Sequence, residues 1–210
     1  MKMMKRNGFT LIELLVAMAI ASFVMAAIYS FYRLQMKQYR TQQMVTQMQQ
    51  NMRAGMYLLE REIRMAGYSE HNPKAAAGFV ANFASFGSTQ EDSGAATDAN
   101  NIAFTVDNNN DGAISADTSF EIIAFRLKAD NNELQRWDPV NGWKVAAEQI
   151  TALSFTYFRA DGSPLTFPID PNELQDIRSV EVALHATAGD GNEDYDMDLT
   201  NRIKCRNMGF

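Results

Sequence analysis

The chain has 210 residues, enough to bury one good core, and a composition of 46% hydrophobic and 21% charged residues is that of a folded protein. Its 19 basic and 25 acidic residues give a net charge of −6, and no basic block or stripe is present, which argues against a nucleic-acid partner. Two histidines and a single cysteine leave little for a metal or thiol centre, and Cys205 alone cannot close an internal disulfide.

The chain begins with a short basic segment, MKMMKRNG, followed by an apolar run from Phe9 to Tyr32 whose only charge is Glu13. As a helix this run of about 24 residues is about 36 Å long, enough to cross a bilayer core of about 30 Å. The preceding lysines and arginine should stay in the cytoplasm and send the remainder outward. An ordinary secretory signal or signal anchor is the plain reading. Ala19-Ile20-Ala21 offers a cleavage triplet, but it lies inside the apolar run, which favours an uncleaved anchor. Neither reading accounts for Glu13, because a carboxylate near the end of a span costs free energy until something pairs with it.

The order Gly8-Phe9-Thr10-Leu11-Ile12-Glu13-Leu14 behind a basic leader resembles the precursors of type IV pilin-like proteins. The resemblance implies that prepilin peptidase cuts between Gly8 and Phe9, that the new amine of Phe9 is N-methylated, and that the apolar helix is kept. It also implies a role for Glu13, pairing with the N-terminal amine of a neighbouring subunit in the fibre. Two charges in a low-dielectric helix bundle are tolerated only when paired, so a misregistered subunit would leave both unpaired. The bland alternative is that Glu13 merely reaches the membrane edge.

Residues 33–66 are polar but patterned. Met44, Met48, Met52 and Met56 recur every four residues, Val45, Leu59, Ile63 and Ala66 extend the stripe, and Gly67 is placed to end the helix. The part nearest Gly67 is expected to pack on its own domain, and Arg33 to Gln47 to face other subunits as a stalk. A methionine stripe also suits an adaptable docking surface. Glu60 and Arg64 form an i,i+4 pair, which by itself reads as a solvated helix end. The stretch Arg61-Glu62-Ile63-Arg64-Met65-Ala66-Gly67-Tyr68 resembles PilW-type minor pilins and, more loosely, J-type pseudopilins of type II secretion.

Residues 67–101 read as a connecting region with one short ordered piece around Phe79 to Phe86. The period then changes to two. Ile102–Val106, Phe120–Leu127, Leu134–Trp137, Ile150–Arg159 and Ile177–Ala186 read as strands, divided by turns such as 138–142 and 160–164. Asp194–Arg206 alternates acids with Tyr195, Met197 and Leu199, which suits an edge strand. The expected fold is α+β: leader 1–8, membrane-spanning helix 9–32, amphipathic helix 33–66, connecting region 67–101, and a mostly antiparallel β-rich head over 102–210 packed on the lower helix. Leu174–Val182 and Arg206-Asn207 also resemble PilW-type tails.

No G-x-S-x-G elbow, H-E-x-x-H or Walker loop is present, and His71 and His185 sit far apart, so no enzyme is expected. Asp107-Asn108-Asn109-Asn110-Asp111-Gly112 matches the first half of a calcium loop. Asp107, Asn109 and Asp111 would supply side-chain oxygens, with the carbonyl of Ala113 and the hydroxyl of Ser115 continuing the count. Thr118 stands where a bidentate glutamate belongs, so Asp117 or Glu121 would have to substitute. The competing reading is an asparagine-rich turn without metal.

The resemblance as a whole implies a minor pilin, held in the inner membrane with its head in the periplasm and then incorporated in a type IV pilus. Its implied partners are other minor and major pilins, prepilin peptidase, the inner-membrane assembly platform and the membrane. No cofactor is required beyond the calcium that the loop suggests. Two alternatives stand beside it: a J-type minor pseudopilin of a type II secretion system, and a signal-anchored periplasmic binding protein or enzyme.

Overall fold

The computed structural model describes residues 8–70, 78–81, 97–114, 120–189 and 194–208. The elements run in the order α1 (Leu11–Ile63), β1 (Asn101–Thr105), β2 (Ile122–Lys128), β3 (Glu133–Asp138), β4 (Gly142–Glu148), β5 (Ile150–Phe158), β6 (Ser179–Gly189) and β7 (Asp194–Lys204). Contacts divide the chain into two compact units, Met1–Met44 and Val45–Phe210.

In the first unit α1 is apolar on every side from Leu11 to Tyr32, apart from Glu13. Leu11, Ile12, Leu14, Leu15, Ile20, Phe23 and Ile28 are all more than half exposed. A helix apolar all round and unburied is suited to lipid or to other helices, and this one is long and apolar enough to cross a membrane. Its two serine hydroxyls are satisfied internally, as hydrocarbon demands: Ser22 Oγ donates to the Ala19 carbonyl at 2.7 Å and Ser30 Oγ to the Ala26 carbonyl at 2.9 Å.

In the second unit the lower part of α1 buries Met48, Met52, Gly55, Met56, Leu59, Glu62 and Ile63, the methionine stripe and its continuation. At Gly55 the helix lies close against the strands. A Cβ there would lie 3.1 Å from Ala147 Cβ on β4 and 3.2 Å from Leu134 Cδ2 on β3. The helix then tightens, with Met65 N–H donating to the Glu62 carbonyl and Ala66 N–H to the Ile63 carbonyl. Gly67 ends it at φ +77°, and its N–H is captured by the Thr105 carbonyl of β1 at 3.0 Å.

The expected antiparallel head is formed of two sheets, β1-β2-β3-β4 and β5-β6-β7. Alternation predicts which residues face inward but says nothing about where one sheet ends and the next begins. Strand β4 escapes the sequence reading altogether. Its Lys144 and Val145 are exposed and only Ala147 is buried, so it lacks the alternating signal of a half-buried strand. The Asp138–Gly142 turn that precedes it joins β3 to β4 as a hairpin, across which Trp137 and Trp143 meet edge to face with centroids 5.5 Å apart. Strand β6 buries every second residue from Val180 to Ala188, and β7 lies at the sheet edge with its acids outward.

The two sheets meet around Tyr157, which is fully buried and donates its hydroxyl to the carbonyls of Asp98 and Asn101, each at 3.2 Å. Phe79, paired with Phe104 in an isolated bridge, packs edge to face on both Phe104 and Tyr157. The rest of the ordered piece expected up to Phe86 lies beyond Ala81, outside the described residues.

Candidate functional site

Two places gather the side chains singled out in the sequence. The first is the start of α1. The Thr10 carbonyl accepts the first helical bond from Leu14 N–H at 3.2 Å, which makes Thr10 the N-cap and Glu13 the third helical residue. Glu13 N–H donates to Thr10 Oγ1, while the Thr10 N–H and hydroxyl both donate to Glu13 Oε2, each at 3.3 Å. This is a reciprocal capping box, and it satisfies two orphan donors at an end where membrane offers no water. Thr10 is a functional residue that the sequence reading passed over, although T-x-x-E before an apolar run is its signature. Phe9 is 88% exposed, and a Cβ built on Gly8 meets nothing within 4 Å, so the chain's own packing does not demand glycine there.

The second place is the connection between β1 and β2. Asp107 follows β1 and is fully buried, as is Glu121 just before β2. One carboxylate oxygen each from Asp107, Asp111 and Glu121 lies within 4.8 Å of the others. Backbone bonds draw the two ends together: Val106 N–H donates to the Glu121 carbonyl at 2.8 Å, and Asp107 N–H donates to the Tyr68 carbonyl just beyond α1, also at 2.8 Å. Asp107 Oδ2 accepts from Ser69 Oγ at 2.9 Å and from Gly112 N–H at 3.1 Å, whereas its Oδ1 is buried without a hydrogen bond.

Around this cluster the loop turns through Asn110 and Gly112, at φ +59° and +80°. Asn109, the expected ligand, is engaged locally: its Oδ1 accepts from Asp111 N–H at 2.9 Å and its Nδ2 donates to Asp111 Oδ2 at 3.0 Å. The neighbouring Asn110 has the buried Oδ1 with no hydrogen bond. Ala113, the expected carbonyl ligand, is exposed, and its N–H donates to Asp111 Oδ1 at 2.8 Å. Ser115, Asp117 and Thr118 lie outside the described residues. Of the two acids offered in place of the missing glutamate, Glu121 is the one described in the cluster.

Other titratable groups have structural surroundings. Burial pushes the Cys205 thiol up to about 12, with Arg178 opposing, and burial likewise holds the Tyr157 hydroxyl well above its ordinary range. Backbone N–H groups of the turns hold Asp138 below the usual carboxylate range, and Ser163 does the same for Asp161. His185 Nδ1 lies 2.8 Å from Asp198 Oδ1 across β6 and β7, and Thr187 Oγ1 gives its proton to Asp196 Oδ1 at 2.8 Å, away from the imidazole. His71 lies outside the described residues.

A long apolar N-terminal helix, capped through a glutamate in its first turn and continuing into an antiparallel α+β head, defines a pilin-like protein. Residues 3–29 match the prokaryotic N-terminal methylation motif. Residues 41–205 match the family described as prepilin peptidase-dependent protein B, and the chain belongs to that family. No curated protein matches the chain. Membership makes this a pilin-like protein dependent on prepilin peptidase. The apolar helix and methylation motif accord with membrane anchoring.

Proposed function

We propose that this chain is a PilW-like minor pilin, cut by prepilin peptidase between Gly8 and Phe9, methylated on Phe9, and incorporated in the tip or initiation complex of a type IV pilus. The observation that carries the reading is the methylation motif over residues 3–29, in register with an exposed Gly8–Phe9 junction directly ahead of a capped, unburied apolar helix. Before assembly the helix anchors the subunit in the inner membrane with its head in the periplasm. In the fibre Glu13 exchanges its own helix cap for the amine of a neighbouring Phe9, so subunits settle in one register. The partners are other minor and major pilins and the inner-membrane assembly platform, and the activity is assembly and surface presentation.

The test is mass spectrometry of the mature N-terminal peptide together with fractionation of sheared fibres. N-methylated Phe9 and recovery with pili are the expected results. An N-terminus at Met1 would return the chain to the class of signal-anchored periplasmic proteins. A processed chain absent from pili, whose loss blocks protein secretion, would make it a J-type pseudopilin instead.

A further inference from the structure

We infer that the β1–β2 connection holds a calcium site, built from the carboxylates of Asp107, Asp111 and Glu121. Whether the chain ends in a pilus or a secretion fibre does not bear on it. Three carboxylate oxygens within 4.8 Å of one another repel unless a positive charge sits among them, and two of the three residues are fully buried.

Acidic clusters by themselves are common, but this one has buried oxygens left without a hydrogen bond. Asp107 is fully buried, and its Oδ2 takes two hydrogen bonds while its Oδ1 takes none. On the same loop the half-buried Asn110 also has its Oδ1 out of water without a hydrogen bond. Leaving such an oxygen buried without a partner costs stability, and more when it is charged. A cation held by the cluster would give Asp107 Oδ1 its partner.

The donor set selects the ion. Oxygen ligands alone, with no nitrogen or sulfur, suit a hard cation. Calcium accepts six to eight oxygens in flexible geometry, whereas magnesium demands a near-ideal octahedron and keeps several waters. Side chains from an irregular loop and a strand entrance fit the first demand better. The mechanical consequence follows from the backbone: Asp107 is bonded to Tyr68 and Ser69 beyond α1, so the ion would fasten the end of the helix to both strand ends of the connection. With three carboxylates and part of the loop exposed, binding is expected in the range of extracellular modules, on the order of 10⁻⁴ to 10⁻³ M.

The experiment uses the full chain in a non-ionic detergent, with thermal melting in chelator, calcium or magnesium, and calorimetric titration with calcium. One ion per chain is expected. Calcium at ten times Kd should raise the folded-to-unfolded ratio about elevenfold, with a much smaller effect of equal magnesium. Asp111→Asn, at an exposed position, and the near-isosteric Glu121→Gln should each fold in chelator and weaken calcium binding at least tenfold. Melting that ignores calcium, an equal response to magnesium, or an undiminished calcium response in the two variants would each overturn the assignment.

Discussion

Arg136 on β3 grips Glu62 in the last turn of α1: its Nε donates to both carboxylate oxygens, at 3.1 and 2.9 Å. The Glu62 side chain is only 9% exposed, against 25% for Arg136, so the pair sits mostly out of water. Losing Glu62 leaves Arg136 without its acid, whereas losing Arg136 leaves Glu62 only the exposed Arg61, at 3.1 Å. Glu62→Ala or Arg136→Ala is expected to cost about 2–3 kcal/mol, below the 3–5 kcal/mol of fully buried pairs because Arg136 remains partly hydrated. Denaturant melting of the full chain in detergent measures this, and the double substitution should cost clearly less than the two singles added. Additive losses would mean that the two residues act separately.

Gly55 separates two kinds of substitution. Gly55→Leu must push into Ala147 and Leu134, and overpacking of that kind costs about 1–3 kcal/mol. Gly55→Ala gains about 1 kcal/mol of helix propensity and meets contacts of 3.1 and 3.2 Å, so its net effect should be small. Equal stability of the leucine variant would show that helix and strands can move apart freely.

At the processing junction, Gly8→Leu is expected to leave the chain inserted and uncut. Since nothing among the described residues crowds Gly8, a defect is expected to report on the peptidase rather than on folding. Unchanged electrophoretic mobility relative to the mature protein would contradict this.

Glu13 has two roles that substitutions can divide. Glutamine still completes a capping box, whereas alanine does not, and neither carries charge. Both variants should be cut after Gly8. If the charge sets subunit register, Glu13→Gln and Glu13→Ala should both be depleted in sheared pili. Normal incorporation of the glutamine variant alone would assign Glu13 to helix capping and remove the pairing role.

Cys205 should be silent as a thiol. It is 2% exposed and its thiol is pushed up to about 12, mainly by burial, so alkylation of the folded protein at pH 8 should be far slower than of the unfolded chain. The same shift gives a pH dependence. The unfolded thiol ionises near its ordinary value while the folded one keeps its proton, so the folded state binds more protons between the two values. This contribution to stability is complete below about pH 9 and is lost as the pH rises toward about 12. Cys205→Ser should flatten that part of the stability profile, and an unaltered profile would count against the burial argument.

What the sequence alone determined was local. The apolar run from Phe9, the four-residue repeat of Met48, Met52 and Met56, and the alternation from Val180 to Ala188 are periodicities within one element, and they specify element type and inward face. The Gly8–Glu13 motif was legible for the same reason, being contiguous. Tertiary structure decided whatever joins residues far apart in the chain. It paired Glu62 with Arg136, where local reasoning saw a solvated helix end, and it divided the strands into two sheets through β4, whose exposed side chains carry no alternation. In the acidic loop, spacing pointed to Asn109. The fold turned Asn109 onto Asp111, left the Asn110 oxygen buried, and brought in Glu121 from the start of the next strand. A count along the chain assumes that the chain continues as in a known loop, whereas here two strands, paired by long-range hydrogen bonds, set where its ends meet.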